Sequence, residues 1–268
     1  MTLSPLTAFA LAARAHDDVL DLEGLAVGVA RMGNPEVDAR AVARRLDEIA
    51  AAVAAHLPAG AAPDRTVAHL RRVLVHELGF TGDRDAPRTA EDSFLDRVLE
   101  RRRGLPILLS VVWILVGERL GLPVRGVNFP GHFLICFDAP GARIYLDPFH
   151  GGVAREAGDL LGRLGPRAPD RRVLEPCGVR PIVGRMLANL KNLWVDESRY
   201  VEALGAVDRI LLIGGEIPTE LRDRGLLCLH VGKPEEAARD FRRYLKLQPD
   251  AEDRSVVEAL LQKIQEAG

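Results

Sequence analysis

The sequence has little that would staple it covalently, anchor it in a bilayer or draw it to a polyanion. Its three cysteines, Cys136, Cys177 and Cys228, are far apart and odd in number. No CxxC pair occurs, which argues against a zinc knuckle or a disulfide framework and fits a reducing cytoplasm. Lysine is rare beside arginine, and the net charge is only -2. No overall basic excess points to nucleic acid or anionic lipid, so neither is an expected partner. The longest apolar run, Leu105 to Val116, is too short to cross a membrane. The opening "MTLSPLTAFALAARAHDD" lacks the basic start of a secretory signal and leads straight into a helical pattern, so it reads as a first helix.

What is present begins with helices. In "DARAVARRLDEIAAAVAAHL", Val42, Leu46, Ile49, Val53 and Leu57 recur at three- and four-residue steps and make one apolar face. "PAGAAP" ends that segment, and "TVAHLRRVLVHELGF" resumes the period. After the polar loop "TGDRDAPRTAED", Ser93 with Asp96 predicts a helix start before "FLDRVLERRRG". From Leu105 to Leu120 almost no polar face remains, which predicts a buried central helix beginning near Pro106. Proline suits the first helical position. Gly121 and Pro123 close that helix.

The period then drops to two. "VRGVNF", "HFLICF" and "RIYLD", separated by "PG" and "DAPGA", predict short antiparallel strands. His132, Leu134 and Cys136 would share one face of the middle strand, and Phe133, Ile135 and Phe137 the other. "GDLLGRLG" reads as a short helix and "PRAPDRRVLEPCGVRP" as a linker. Beyond Pro181 the chain is helical and repeats. "RYVEALGAVDRILLI" from Arg199 aligns with "KPEEAARDFRRYLKL" from Lys233, so Glu202 and Ala203 fall on Glu236 and Ala237. Gly225, Phe241 and Pro249 stand at tetratricopeptide spacing, which predicts paired helices in close approach.

A strongly apolar helix, then "GLPVRGV", a histidine and a later aspartate resembles the transglutaminase-like, papain-related core. A closer resemblance runs through "GFTGDRDAPRTAEDSFLDRVLERRRGLPILLS", "LGLPVRGVNFPGHFLICF" and "LDPFHGG", followed by the repeats; it is to the SirB-type transglutaminase-like family of bacteria. The resemblance implies an α+β fold in two parts. A helical region with a degenerate transglutaminase-like core and a small antiparallel sheet would occupy residues 1–180. A short all-α repeat domain would occupy 181–268. In such cores a cysteine opens the helix, a histidine takes its proton and an aspartate orients the imidazole. His132 and Asp147 match the second and third positions. Counting back from Gly121 as the family pattern requires arrives at Pro106, which has no nucleophile.

The expectation is therefore a non-catalytic regulatory protein that needs no cofactor and binds a protein partner through its repeats. Arg103, Asn128, His132, Asp147 and His150 are the candidate binding residues, with Arg101 and Arg102 flanking Arg103. The other reading is a hydrolase or acyl-transferase using Ser110 or a metal-bound water. Ser110 lies one turn beyond Pro106, about 6 Å along the axis, and bonding back to a backbone carbonyl is its plain structural role. Cys136 would lie about 13 Å along the strand from His132, Cys177 falls in the linker and Cys228 at a repeat-packing position. His132, Asp147 and His150 form the possible metal set. A histidine and an aspartate on neighbouring strands can equally be a buried structural pair.

Overall fold

The computed structural model describes residues 4–58, 60–164 and 171–267. They form two compact units, residues 15–186 and a second made of residues 4–14 with 187–267. Both this division and the one expected at residue 180 fall within one helix, Val179–Asp196. Residues 166–170 of the expected linker, together with residue 165 at the end of the expected short helix, lie outside the described residues.

The larger unit opens with α2 (Leu22–Ala30), α3 (Ala39–Ala54) and α4 (Pro63–Arg71), the last continued by a π-helical turn over Arg72–Glu77. Val42, Leu46, Ile49 and Val53 are all buried, as the periodicity predicts, whereas Leu57, expected on the same face, lies beyond the end of α3 and is only half-buried. The expected helix start at Ser93 is displaced. A 3-10 turn spans Ala90–Ser93, the Thr89 N–H donates to Asp92 Oδ2 at 2.9 Å, and α5 runs Leu95–Arg101 behind Phe94. Asp92 takes the reciprocal role assigned to Asp96, because Thr89 lies three residues before it.

The expected central helix is α6 (Pro106–Arg119), with Leu105 as N-cap and Pro106 in its first turn. Proline needs no hydrogen-bond acceptor there and has the helical φ built in. Every residue from Ile107 to Gly117 is buried, and each large side chain contributes about 1.5–3 kcal/mol by leaving water. The helix ends in a Schellman closure: Leu122 N–H donates to Gly117 O at 2.8 Å and Gly121 N–H to Glu118 O at 3.2 Å.

The sheet is an antiparallel meander of β1 (Val124–Val127), β2 (Leu134–Ala139), β3 (Ala142–Asp147) and β4 (Val153–Arg155). Val124 pairs with Phe137 and Gly126 with Ile135, and Val124 meets α6 at Gly117. The other face, with Val127, Leu134 and Cys136, packs on Leu160 of α7 (Ala157–Gly162) and on Leu174. The Cys177 N–H donates to Gly126 O at 2.8 Å and covers part of the β1 edge. His132 is not on the middle strand as expected. The turn through Pro130 and Gly131 (φ 76°) holds its N–H on Phe129 O at 3.2 Å, and pairing begins only at Leu134.

In the smaller unit, the end of α8 (Val179–Asp196) is followed by α9 (Tyr200–Gly214), α10 (Pro218–His230), α11 (Pro234–Leu247) and α12 (Arg254–Ala267). Helices α9 and α11 start at Tyr200 and Pro234, which reproduces the repeat seen in the sequence. A Cβ on Gly225 would come within 2.5 Å of the Phe241 ring, so only glycine lets α10 and α11 close to this separation. Helix α1 (Pro5–Ala13) packs against α9, with the Arg209 guanidinium 5.8 Å from the Phe9 ring centroid.

Candidate functional site

The start of α6, the turn before β2 and the turn after β3 converge on a cavity of about 290 Å³. Its lining includes Arg84, Arg88, Arg103, Pro106, His132 and His150. The loop carrying Arg84 is tied down at Gly82, whose N–H donates to Phe149 O at 2.9 Å. A Cβ on Gly82 would lie 2.2 Å from the Phe149 ring, so this contact requires glycine.

Asp147 ends β3 with its side chain fully buried, and it organises the site. Oδ1 accepts from His132 Nε2 at 2.9 Å and from the His150 N–H at 3.2 Å. Oδ2 accepts from His150 Nδ1 at 2.6 Å and from Arg155 Nη2 at 3.0 Å. Burial alone would raise this carboxyl; hydrogen bonds from His132, His150 and Arg155 outweigh it and hold Asp147 well below the usual carboxylate range. Arg84 donates through Nε at 2.8 Å, and through Nη2, to His150 Nε2. Arginine can only donate, so His150 accepts at Nε2 and carries its proton on Nδ1. His132 gives Nε2–H to the carboxylate, and its Nδ1 has no hydrogen-bond partner among the described residues. The two imidazoles stack with centroids 5.3 Å apart, and Phe149 meets each ring edge-on.

The sequence-predicted residues divide accordingly. Arg103, Pro106, His132 and His150 line the cavity, with Asp147 directly behind the two imidazoles. Asn128 is not in the lining, and its Oδ1 accepts from Arg185 at 3.3 Å. Ser110 is fully buried and donates to Pro106 O at 2.8 Å, the back-bonded role of a serine inside a helix. Arg101 pairs with Glu91 at 2.7 Å, and Arg102 is the left-handed C-cap of α5. Burial pushes the Cys136 thiol up to about 12 and those of Cys177 and Cys228 up to about 11, so none is an activated thiolate. Sequence reasoning missed Arg84, Arg88 and Arg155. The first two lie in "TGDRDAPR", read only as a polar loop, and the third on a strand too short to alternate visibly.

Ligand atoms of His132, Asp147 and His150 all lie within 4.8 Å of one another, close enough in principle for a divalent ion. The donor set is poorly disposed to one. An ionised carboxylate has about four acceptor positions, and four donors already use those of Asp147. The Arg84 and Arg155 guanidiniums bring two positive charges against the same groups.

Comparison with known proteins identifies the family. The family model of the transglutaminase-like superfamily matches residues 40–188, and a tetratricopeptide-repeat model matches 190–262. A UPF0162 protein of Xylella fastidiosa is 34% identical over 253 residues, covering 91% of this chain and 90% of the relative. A UPF0162 protein of Vibrio cholerae is 34% identical over 184 residues, 67% of this chain and 68% of the relative. Protein SirB1 of Salmonella typhimurium is 28% identical over 178 residues, 63% and 66% of the two chains. No solved structure matches the chain. With the superfamily match spanning the buried helix and the sheet, and a relative aligned along nearly the whole length, the chain belongs to the transglutaminase-like superfamily, in the bacterial family that includes the UPF0162 proteins and SirB1.

Proposed function

We propose that the protein is a non-catalytic regulatory protein of the reducing cytoplasm. In this reading the transglutaminase-like core is a binding fold without a nucleophile, and the repeats dock a protein partner. The observation that carries the reading is Pro106. It opens α6 on the wall of the cavity shared with His132, where the family resemblance sets a cysteine, and a pyrrolidine ring attacks nothing. His132 and Asp147 keep the hydrogen bond that would serve a nucleophile, so the remnant is ordered but idle. Catalysis through Ser110 finds little support, since its hydroxyl is buried and engaged with its own helix.

Repeats that bury a continuous core while leaving one surface open suit recognition of a peptide or helix. Val201 (70% exposed) and Leu226 (38%) are apolar side chains facing solvent on α9 and α10. Affinity capture from a cell extract, with the intact chain as bait, tests the proposal. A discrete partner should be recovered by the native chain and lost with Val201→Asp combined with Leu226→Asp, while Pro106→Ala captures it normally. Capture that survives the repeat substitutions and disappears with Pro106→Ala would overturn this division of labour.

A further inference from the structure

We propose that the cavity beside Pro106 is a docking pocket for an oxyanion carried on a peptide: the carboxylate of an acidic side chain or of a chain terminus. This rests on reading the core as a binding fold and names what it binds.

The argument begins with charge. Three guanidiniums line the cavity, those of Arg84, Arg88 and Arg103, against the carboxylates of Asp83 and Asp92. Asp83 is engaged by Arg103 at 3.2 Å, and its Oδ1 also accepts the N–H groups of Asp85 and Ala86. Asp92 is buried and has Thr89 on Oδ2, while its Oδ1 makes no hydrogen bond among the described residues and has Arg101, itself held by Glu91 at 2.7 Å, only at 3.6 Å. Arg84 spends its donors on the neutral nitrogen of His150, which leaves its charge uncompensated. Arg88 has no hydrogen-bond or ion-pair partner among the described residues. Two guanidiniums without a carboxylate partner therefore face one small space, set against the single Asp92 oxygen that lacks a hydrogen bond, and the positive end of α6 adds to their potential.

Chemistry and size narrow the occupant. A guanidinium fork matches the planar pair of oxygens of a carboxylate and donates two parallel hydrogen bonds to it. A cation is disfavoured by the same arginines, and the Asp147 carboxylate behind the imidazoles has its acceptor positions filled. The volume, about 290 Å³, is at or below the small end of pockets that enclose a whole small molecule, roughly 300–1,000 Å³. It suits one side chain or a chain end presented by a larger partner.

Fluorescence polarisation of the intact chain tests this with four probes: a fluorescein-labelled glutamate-rich hexapeptide, its glutamine counterpart, and each with a free or amidated C-terminus. The acidic or free-terminus peptide should bind and the neutral amidated one should not, with affinity falling as salt rises. Arg88→Ala, which removes an exposed side chain with no structural partner, should weaken binding about tenfold or more, and Arg88→Lys should restore part of it. Arg65→Ala, at an exposed arginine of the same unit outside the cavity lining, should leave affinity unchanged. Equal binding by Arg88→Ala, or equal binding of the neutral amidated peptide, overturns the proposal. Inorganic phosphate that binds by isothermal titration calorimetry while no peptide binds overturns the peptide source. Zinc bound in a manner lost with His150→Ala, without peptide binding, overturns the anionic one. A His132-dependent covalent adduct would sink the non-catalytic reading and leave the Arg88 result readable on its own.

Discussion

Two buried aspartates, one in each unit, show how differently the same side chain can be used. Asp240 of α11 is gripped by a single bidentate fork, Arg224 Nε and Nη2 at 2.7 Å each, which ties α10 to α11. Arg224 Nη1 also donates to Asp208 Oδ1 at 3.3 Å, and the cavity that this pair borders carries more carboxylates than guanidiniums. Asp147 is bonded at least as heavily, to Arg155 and to two imidazoles that face a cavity lined with arginine. The first arrangement holds helices together. The second holds two imidazoles in fixed orientation beside a cavity in which the guanidiniums of Arg84, Arg88 and Arg103 outnumber the carboxylates of Asp83 and Asp92, the reverse of the balance around Asp240.

The largest effect that sharpens this contrast is Asp147→Ala. It leaves His132, His150 and Arg155 without their acceptor, and a loss of about 3–5 kcal/mol is expected in urea unfolding. The pH dependence has a definite sign. Asp147 is held below its unfolded value, so its contribution is fully present above the ordinary carboxylate pKa of about 3.9 and is lost as pH falls further toward the folded value. Asp147→Asn should flatten that acid limb. Next comes Arg224→Ala, which strands a carboxylate only 6% exposed; about 1.5–3 kcal/mol should be lost, with the site around Asp147 undisturbed. Gly225→Ala forces a methyl group against Phe241 and should cost about 1–3 kcal/mol by calorimetry. Smallest of all is Ser110→Ala. It removes one back-bond inside α6 and should change stability by less than about 1 kcal/mol, with partner capture unaltered.

What the sequence disclosed follows the same divide between local and distant. Helix α6 was legible at both ends because proline and glycine punctuate it and its apolar run has no second face. The repeats were legible because α9 and α11 carry the same pattern one period apart. Strand β4 was not, since three residues of half-exposed chain show no alternation. His132 was assigned to a strand because "HFLICF" alternates from its first residue, although the Pro130–Gly131 turn reaches beyond it. Arg84 reaches His150 across 66 residues, a pairing that no local pattern announces.

The central claim is that position 106 holds the missing attacking atom's place, and intact-mass spectrometry tests it directly. The native chain and Pro106→Cys would be treated side by side with iodoacetamide and a fluorophosphonate. The account predicts no His132-dependent adduct on the native chain, and a new adduct on Pro106→Cys that slows when His132→Ala is added. A native adduct that disappears with His132→Ala would contradict it.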